Sequence, residues 1–365
     1  MMQGWVKRGL VGGALGAALV VGGASDASAQ GSDRDGWRLH RWTMGLESTF
    51  DQNPFRLTGG QMDDLLDGGD RYASLSQPFD LANTLRLGME LRGRGLAGHR
   101  LELESNVRVD AYTFNRRRTS VEVDLSAAQR LSKRDEVRLE LQVTPSEFRR
   151  NYLGPSGAGE VEYVAGVATT VEAELAYQRR LLRGKRGAPE LDVEVGLLAG
   201  RRTYRDLPWR DRTELGAGVE ADLEVGRVGF ELSASGARAF DGYAGAEPVL
   251  TDLGLLMTPL DRGFDEIRVG AETSLRTGKR SRLVAEYDLR ERRYTASLAD
   301  DPYYGDRLDR RHSLGGELRL DLRRVELSLG AEHQFQTTFR PGQGDTGDEA
   351  DYRRLRAFFG VEYRR

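Results

Sequence analysis

From Leu314 to Phe335 the chain alternates with a period of two. Leu314, Gly316, Leu318, Leu320 and Leu322 are interleaved with Gly315, Glu317, Arg319 and Asp321. After Arg323-Arg324 the pattern resumes, with Val325, Leu327, Leu329, Ala331, His333 and Phe335 set between Glu326, Ser328, Gly330, Glu332 and Gln334. A period of two sends alternate side chains to opposite faces of a strand, so the stretch predicts a hairpin that turns at the two arginines. A soluble sandwich also buries one face of its strands, but it has no need to repeat such long strands along almost the entire chain. The repetition predicts an all-β fold: a transmembrane, antiparallel, up-and-down β-barrel with its apolar face to lipid and its polar face to a lumen.

The rest of the composition fits that fold. A mean hydropathy of −0.55 is far too polar for a helical membrane protein and suits a barrel whose lumen and loops are wet. The net charge of −3 leaves no basic excess for a nucleic-acid partner, and with no Cys there is no disulfide, thiol chemistry or lipid-modified N-terminal Cys. Lys7 and Arg8 precede an apolar run over residues 10–21, and Ala27-Ser28-Ala29 follows. That run is shorter than the roughly 20 residues of a spanning helix. It reads as a signal peptide over residues 1–29, cleaved before Gln30. Residues 30–36 then form a periplasmic lead-in and 37–365 the barrel.

Alternating segments begin at Trp37, Leu85, Leu101, Val121, Val137, Val167, Leu191, Leu215, Val228, Ile267, Leu283, Leu314, Val325 and Leu355. They predict about 14 strands, with 12 or 16 as alternatives; even numbers are usual for such barrels. Short connections fall near Ala97, Lys133, Gly226, Lys279 and Arg323. Residues 183–188 are the longest of this set; longer connections, apart from the brief 115–118, span 53–78, 151–159, 243–263, 299–306 and 340–350. Short turns belong on the periplasmic side and long loops outside, so both ends of the chain are placed in the periplasm. Aromatics near strand ends (Trp42, Phe50, Tyr112, Phe114, Tyr152, Tyr177, Tyr204, Trp209, Phe335, Phe339, Tyr363) suggest interfacial girdles.

With alternation, loop parity and a terminal strand in hand, the chain resembles Gram-negative outer-membrane β-barrels of the porin-like kind over residues 37–365. Its Arg/Tyr-rich strand ends, Arg149-Arg150-Asn151-Tyr152, Arg202-Thr203-Tyr204-Arg205 and Arg292-Arg293-Tyr294, also resemble barrels encoded with exopolysaccharide-secretion systems. The resemblance implies a cell-outer-membrane location and a channel for passive passage or export of small or saccharide solutes. The implied partners are outer-membrane lipid and lipopolysaccharide, the barrel-insertion machinery and a saccharide solute. A non-conducting adhesion barrel binding partners or surface polysaccharide is the alternative. A lipid hydrolase is the third reading.

Chemistry is sparse. His312 and Ser313 are adjacent on one strand and point to opposite faces, His333 shares the lipid-side phase of Leu329, and His40 and His99 lie near the periplasmic ends. No catalytic residue, cofactor or metal follows. Asp63, Asp64, Asp67 and Asp70 read as a solvated acidic loop, since their spacing fits no calcium loop. Specificity is expected in the lumen, from Glu102, Glu104, Arg108, Glu122, Asp124, Glu172, Glu174, Asp192, Glu194, Glu220, Asp222, Arg290, Arg292, Glu317, Arg319, Asp321 and Glu326. Carboxylates lie toward the periplasmic side. Arginines lie toward the outside, including 116–118, Arg149, Arg150, Arg202, Arg205, Arg212, Arg310, Arg311, Arg353 and Arg354. These charges either line a graded pore or neutralise one another across a filled lumen. The loop over 243–263 is unusually apolar, and its Leu253, Leu255, Leu256 and Met257 are the candidates for a constriction folded into the mouth.

Overall fold

The computed structural model describes residues 36–66, 77–153, 163–182, 188–207, 210–241, 249–250, 256–257, 263–296, 305–340, 344–345 and 351–365. The wall consists of β1 (Arg38–Asp51), β2 (Asp80–Arg94), β3 (Arg100–Tyr112), β4 (Ser120–Arg130), β5 (Asp135–Leu153), β6 (Tyr163–Leu182) and β7 (Glu190–Tyr204). It continues with β8 (Arg212–Val225), β9 (Val228–Asp241), β10 (Phe264–Arg276), β11 (Ser281–Tyr294), β12 (Leu308–Leu322), β13 (Val325–Arg340) and β14 (Tyr352–Arg364). Each strand pairs antiparallel with its sequence neighbours, and β14 closes on β1, Thr43 lying opposite Arg364 and Asp51 opposite Arg356. The result is a closed, antiparallel, up-and-down barrel of 14 strands. Closure satisfies every strand edge, which a bilayer requires.

The opening hairpin shows why the sequence folds this way. Leu318 lies opposite Leu329 and Glu317 opposite Gly330, so apolar and polar residues of both strands share faces. The turn needs a left-handed residue, and Arg323 supplies it at φ 63°. In the equivalent β8–β9 turn Gly226 does so without a Cβ penalty. Outward-facing Leu46, Leu139, Leu175, Leu197, Leu232, Ile267 and Leu329 are exposed around the outer surface. On a soluble protein such a belt would be an aggregation liability; in a bilayer it is the lipid contact. A Lys at Leu329 is expected to cost about 2–4 kcal/mol of folded stability in a bilayer. The same change at Ser328, on the inner face, should cost far less. Urea unfolding in vesicles compares the two, and equal losses would reverse the assigned facing.

Three features differ from expectation. First, β5 runs on to Leu153, past Pro145, because register slips at Thr144/Glu147 and Phe148/Asn151 absorb the break in alternation. Ser146 there adopts φ 54°, the mark of a bulge. Second, the 53–78 connection contains a helix, α1 (Gly59–Leu66). It opens with a capping box: Gln61 N–H donates to Thr58 Oγ1 and Thr58 N–H to Gln61 Oε1, both at 3.3 Å. Leu57 and Leu65 form a small core beneath it with Phe55 and Met62. Third, not all strand-end aromatics are interfacial. Trp42 meets Tyr363 at 5.3 Å at the end bearing the termini, and Phe79 bridges Phe50 and Phe114 at 6.3 and 5.4 Å at the other. Tyr112 and Tyr204, however, share the inward phase of Ala82 and Ala168. Trp209 lies outside the described residues, as does the side chain of Tyr152.

The signal peptide over 1–29 lies outside the described residues, and so do Leu253 and Leu255. Leu256 and Met257 pair with Leu250 and Val249 in a two-residue ladder. Among the described residues, 53–66 form a turn and a helix at the barrel mouth.

Candidate functional site

Strand parity sends Glu102, Glu104, Arg108, Glu122, Asp124, Glu172, Glu174, Asp192, Glu194, Glu220, Asp222, Arg290, Arg292, Glu317, Arg319, Asp321 and Glu326 to the inner face. They fall on two unlike walls. Across β12–β14 and β1–β3 most carboxylates are neutralised; Glu104, which accepts from Asn106 Nδ2 at 3.1 Å, is an exception among the described residues. Arg86 pairs with Glu47 at 2.9 Å, Arg92 with Glu102 at 2.5 Å and Arg108 with Asp110 at 3.0 Å. Arg319 pairs with Glu317 at 2.7 Å, Arg356 with Glu332 at 3.0 Å, and Arg364 with both Glu326 and Glu362, at 2.7 and 2.5 Å.

The opposite wall, β4–β11, is acidic and mostly uncompensated. Glu140 lies directly across from Glu174, Glu194 from Glu220, Asp192 from Asp222, Asp222 from Glu231, Glu231 from Glu272 and Glu272 from Glu286. Arg138 serves Glu194 and Glu140, at 2.6 and 3.0 Å, and Arg180 serves Asp192 at 2.9 Å. Among the described residues Glu122, Asp124, Glu172, Glu174, Glu220, Asp222, Glu231, Glu272, Glu286 and Asp288 have no basic partner within 4.0 Å. Like charges directly opposite one another weaken a sheet, so this arrangement works against stability. Gly196 accommodates it locally, since a Cβ there would lie 2.5 Å from Glu174 Oε1. Glu104, Asp124, Glu140, Glu172, Glu174 and Glu214 contribute to the lining of an internal cavity of about 390 Å³ along this wall.

Arginines dominate the end opposite the termini. Glu266, only 2% exposed, receives Arg268 at 2.5 Å, Arg290 at 2.6 Å and Arg292. The buried Phe264 ring is flanked by Arg212 at 5.0 Å and Arg292 at 4.3 Å, both within cation–π range. Arg310 and Arg353, expected in this collar, face outward instead. Arg310 pairs with Glu291 at 2.7 Å on the outer surface, and Arg353 lies opposite outward-facing Phe335.

Three residues that the alternation pattern did not single out as a group converge at this mouth. Arg56 sits in the 53–58 turn at φ 56°. Asn53 fixes the turn: its Oδ1 accepts from Leu57 N–H at 2.8 Å, and its Nδ2 donates to the carbonyls of Leu57 at 2.8 Å and Arg353 at 3.0 Å. Arg118 lies 5.1 Å over Phe55 and 4.6 Å over Tyr112. Its turn is anchored by fully buried Asp80, which accepts from the N–H groups of Phe114 and Asn115 at 3.1 and 2.9 Å. Arg311 faces inward from β12, opposite Gln336. Enclosure by protein, with the positive fields of Arg354, Arg311 and Arg118, pushes the Arg56 guanidinium down to about 10. Arg354 is itself held by Asp51, at 3.0 Å from its Nε and by a second contact from Nη2.

The histidines form no catalytic grouping. His312 faces outward, stacks on Phe335 at 4.7 Å and shares a 2.9 Å hydrogen bond with Tyr287, while Ser313 points inward to Glu332 at 2.5 Å. Of the acidic loop, Asp67 and Asp70 lie outside the described residues, as does the Asp64 side chain.

A closed barrel with an apolar outer belt and an inner wall of carboxylates and arginines is a β-barrel of the membrane-spanning kind. No family model matches the chain, and no curated protein matches it significantly. Among solved structures it is similar to OmpT, an outer membrane protein of Vibrio cholerae, at 10% identity and a TM-score of 0.43, covering 90% of this chain and 98% of that one. It is also similar to a bacterial polysaccharide outer membrane secretin, at 12% identity and a TM-score of 0.43 over 89% of this chain and 98% of that one. An anion-selective porin from Comamonas acidovorans is similar at 9% identity and a TM-score of 0.41, covering 90% of this chain and 100% of that one.

Proposed function

We propose that the chain forms a water-filled channel for passive passage or export of small hydrophilic solutes, saccharides among them. One observation carries this reading: the uncompensated carboxylates of the β4–β11 wall, from Glu122 to Asp288, face inward. An ionised carboxylate without a partner in a dry interior is prohibitively unfavourable. So many of them on one face favour water beside them over a dry, filled lumen, and a continuous column of water through a closed barrel is a pore. Sugar hydroxyls pair well with carboxylates and guanidinium groups, which both walls offer.

A second reading is favoured by residues 53–66, whose turn is tied to β14 at the mouth by the Asn53–Arg353 bond. If that segment closed the lumen, the protein would be a non-conducting barrel whose outer surface binds polysaccharide or lipopolysaccharide. Planar bilayers separate the two. The channel reading expects discrete conductance steps in potassium chloride, and purified, folded protein that inserts without any steps would overturn it.

A further inference from the structure

We infer that the mouth carries a binding site for an oxyanion, formed by Arg56, Arg118 and Arg311 and filled by the carboxylates of a free, acidic saccharide. The inference rests on the channel reading only for the route by which the solute arrives.

Arg56 occupies left-handed backbone that a non-glycine residue adopts at a cost, and the Asn53 bonds hold it there. That conformation brings its side chain to the group of arginines at the mouth. Arg118 is fixed by two rings and by the turn that Asp80 organises. Its Nη1 and the Nε of Arg311 are buried and have no acceptor among the described residues. Buried donors without acceptors are uncommon and point to a missing one. Asp51, on β1 next to the Asn53 turn, is committed to Arg354 and to Asn53 N–H at 3.1 Å. Among the described residues Arg56, Arg118 and Arg311 form no ion pair. Guanidinium forks match carboxylate oxygens in charge and in planar geometry. A cavity of about 490 Å³ next to Asn53, lined by Leu57, Met62, Gln336, Tyr352 and one carboxylate, Asp351, gives room for sugar rings, although none of the three arginines lines it.

A free solute fits better than a lipid phosphate. Arg311 faces the lumen, whereas the outer-surface arginines Arg310 and Arg238 are already met by Glu291 and Asp265, at 2.7 and 3.5 Å.

Titration of the detergent-solubilised, full-length protein with tetragalacturonate, followed by calorimetry, tests this. Binding is expected for tetragalacturonate and absent for neutral maltotetraose. Arg56→Gln and Arg311→Gln should each weaken it by roughly tenfold or more, Arg56→Lys by less, and Arg117→Gln not at all. Heat-modifiable gel mobility verifies that each variant is folded. Equal binding of the neutral sugar, indifference to Arg56→Gln and Arg311→Gln, or full displacement by purified lipopolysaccharide would overturn the inference. A protein that binds but does not conduct loses only the channel reading; one that conducts but does not bind loses only this site.

Discussion

Replacing Glu140, Glu174, Glu220 and Glu231 together by glutamine is expected, on the proposed channel reading, to remove most of a preference for potassium over chloride. These carboxylates lie on one wall, opposite one another across β5–β6 and beside others across β7–β10. Charges of one sign along a low-dielectric groove focus the field and hold a local potential of several kT. A potential of that size raises the local counter-ion concentration by roughly 10- to 1,000-fold. Charged rings set selectivity in this way. The measurement is the reversal potential in a salt gradient near 0.1 M, where the screening length is about 10 Å and the wall charges are still felt across the lumen. A reversal potential unchanged from wild type would mean that these carboxylates do not govern ion choice. Stability gives a second readout. Because the four residues face like charges, neutralising them should leave the barrel as stable as before or more so.

The two charge zones lie in series. On the proposed channel and anion-site readings, an anion gathered at the arginine mouth would meet an acidic wall deeper in, but also the opposite wall, where Arg86, Arg319 and Arg364 neutralise their partners. Passage along the paired wall with counter-ions beside the acidic one reconciles an anion-binding entrance with a cation-favouring interior.

Much of this was legible in the sequence because a strand's side chains alternate strictly. Once Leu318 and Leu329 are assigned to lipid, Glu317 and Glu326 have nowhere to go but inward, and strand count and inner-face residues follow by the same rule. What alternation does not carry is which inner charges meet. Glu317 and Glu272 look alike in sequence, yet one has Arg319 at 2.7 Å and the other faces Glu231 and Glu286. That depends on which residues lie opposite after closure, and hence on register across strands distant in sequence. The mouth was hidden for a different reason. Arg56 sits in a loop, where no period exists, and the helix after it is signalled only by Thr58 and Gln61. Arg118 was visible as one of three consecutive arginines, but nothing local distinguishes it from Arg117. The rings that hold it, Phe55 and Tyr112, come from elsewhere in the chain.

Glu266 is where removing one charge should hurt the fold most. It is a single carboxylate serving Arg268, Arg290 and Arg292, and it is almost wholly shielded from solvent. Glu266→Gln keeps the shape but leaves three guanidinium groups facing one another with no anion among them. Stripping the partner from a buried ion pair typically costs about 3–5 kcal/mol, because the remaining charge stays desolvated and unpaired. Urea unfolding should register a loss of that order. Glu291→Gln, which breaks the exposed pair with Arg310, should cost about 1 kcal/mol or less. The Glu266→Gln loss should also shrink in sulfate, since an anion entering from the lumen can take the vacated place between the arginines. The Glu291→Gln variant has no such place to fill. Equal losses in the two variants, or a Glu266→Gln loss indifferent to sulfate, would show that the three arginines do not depend on Glu266 for their neutralisation.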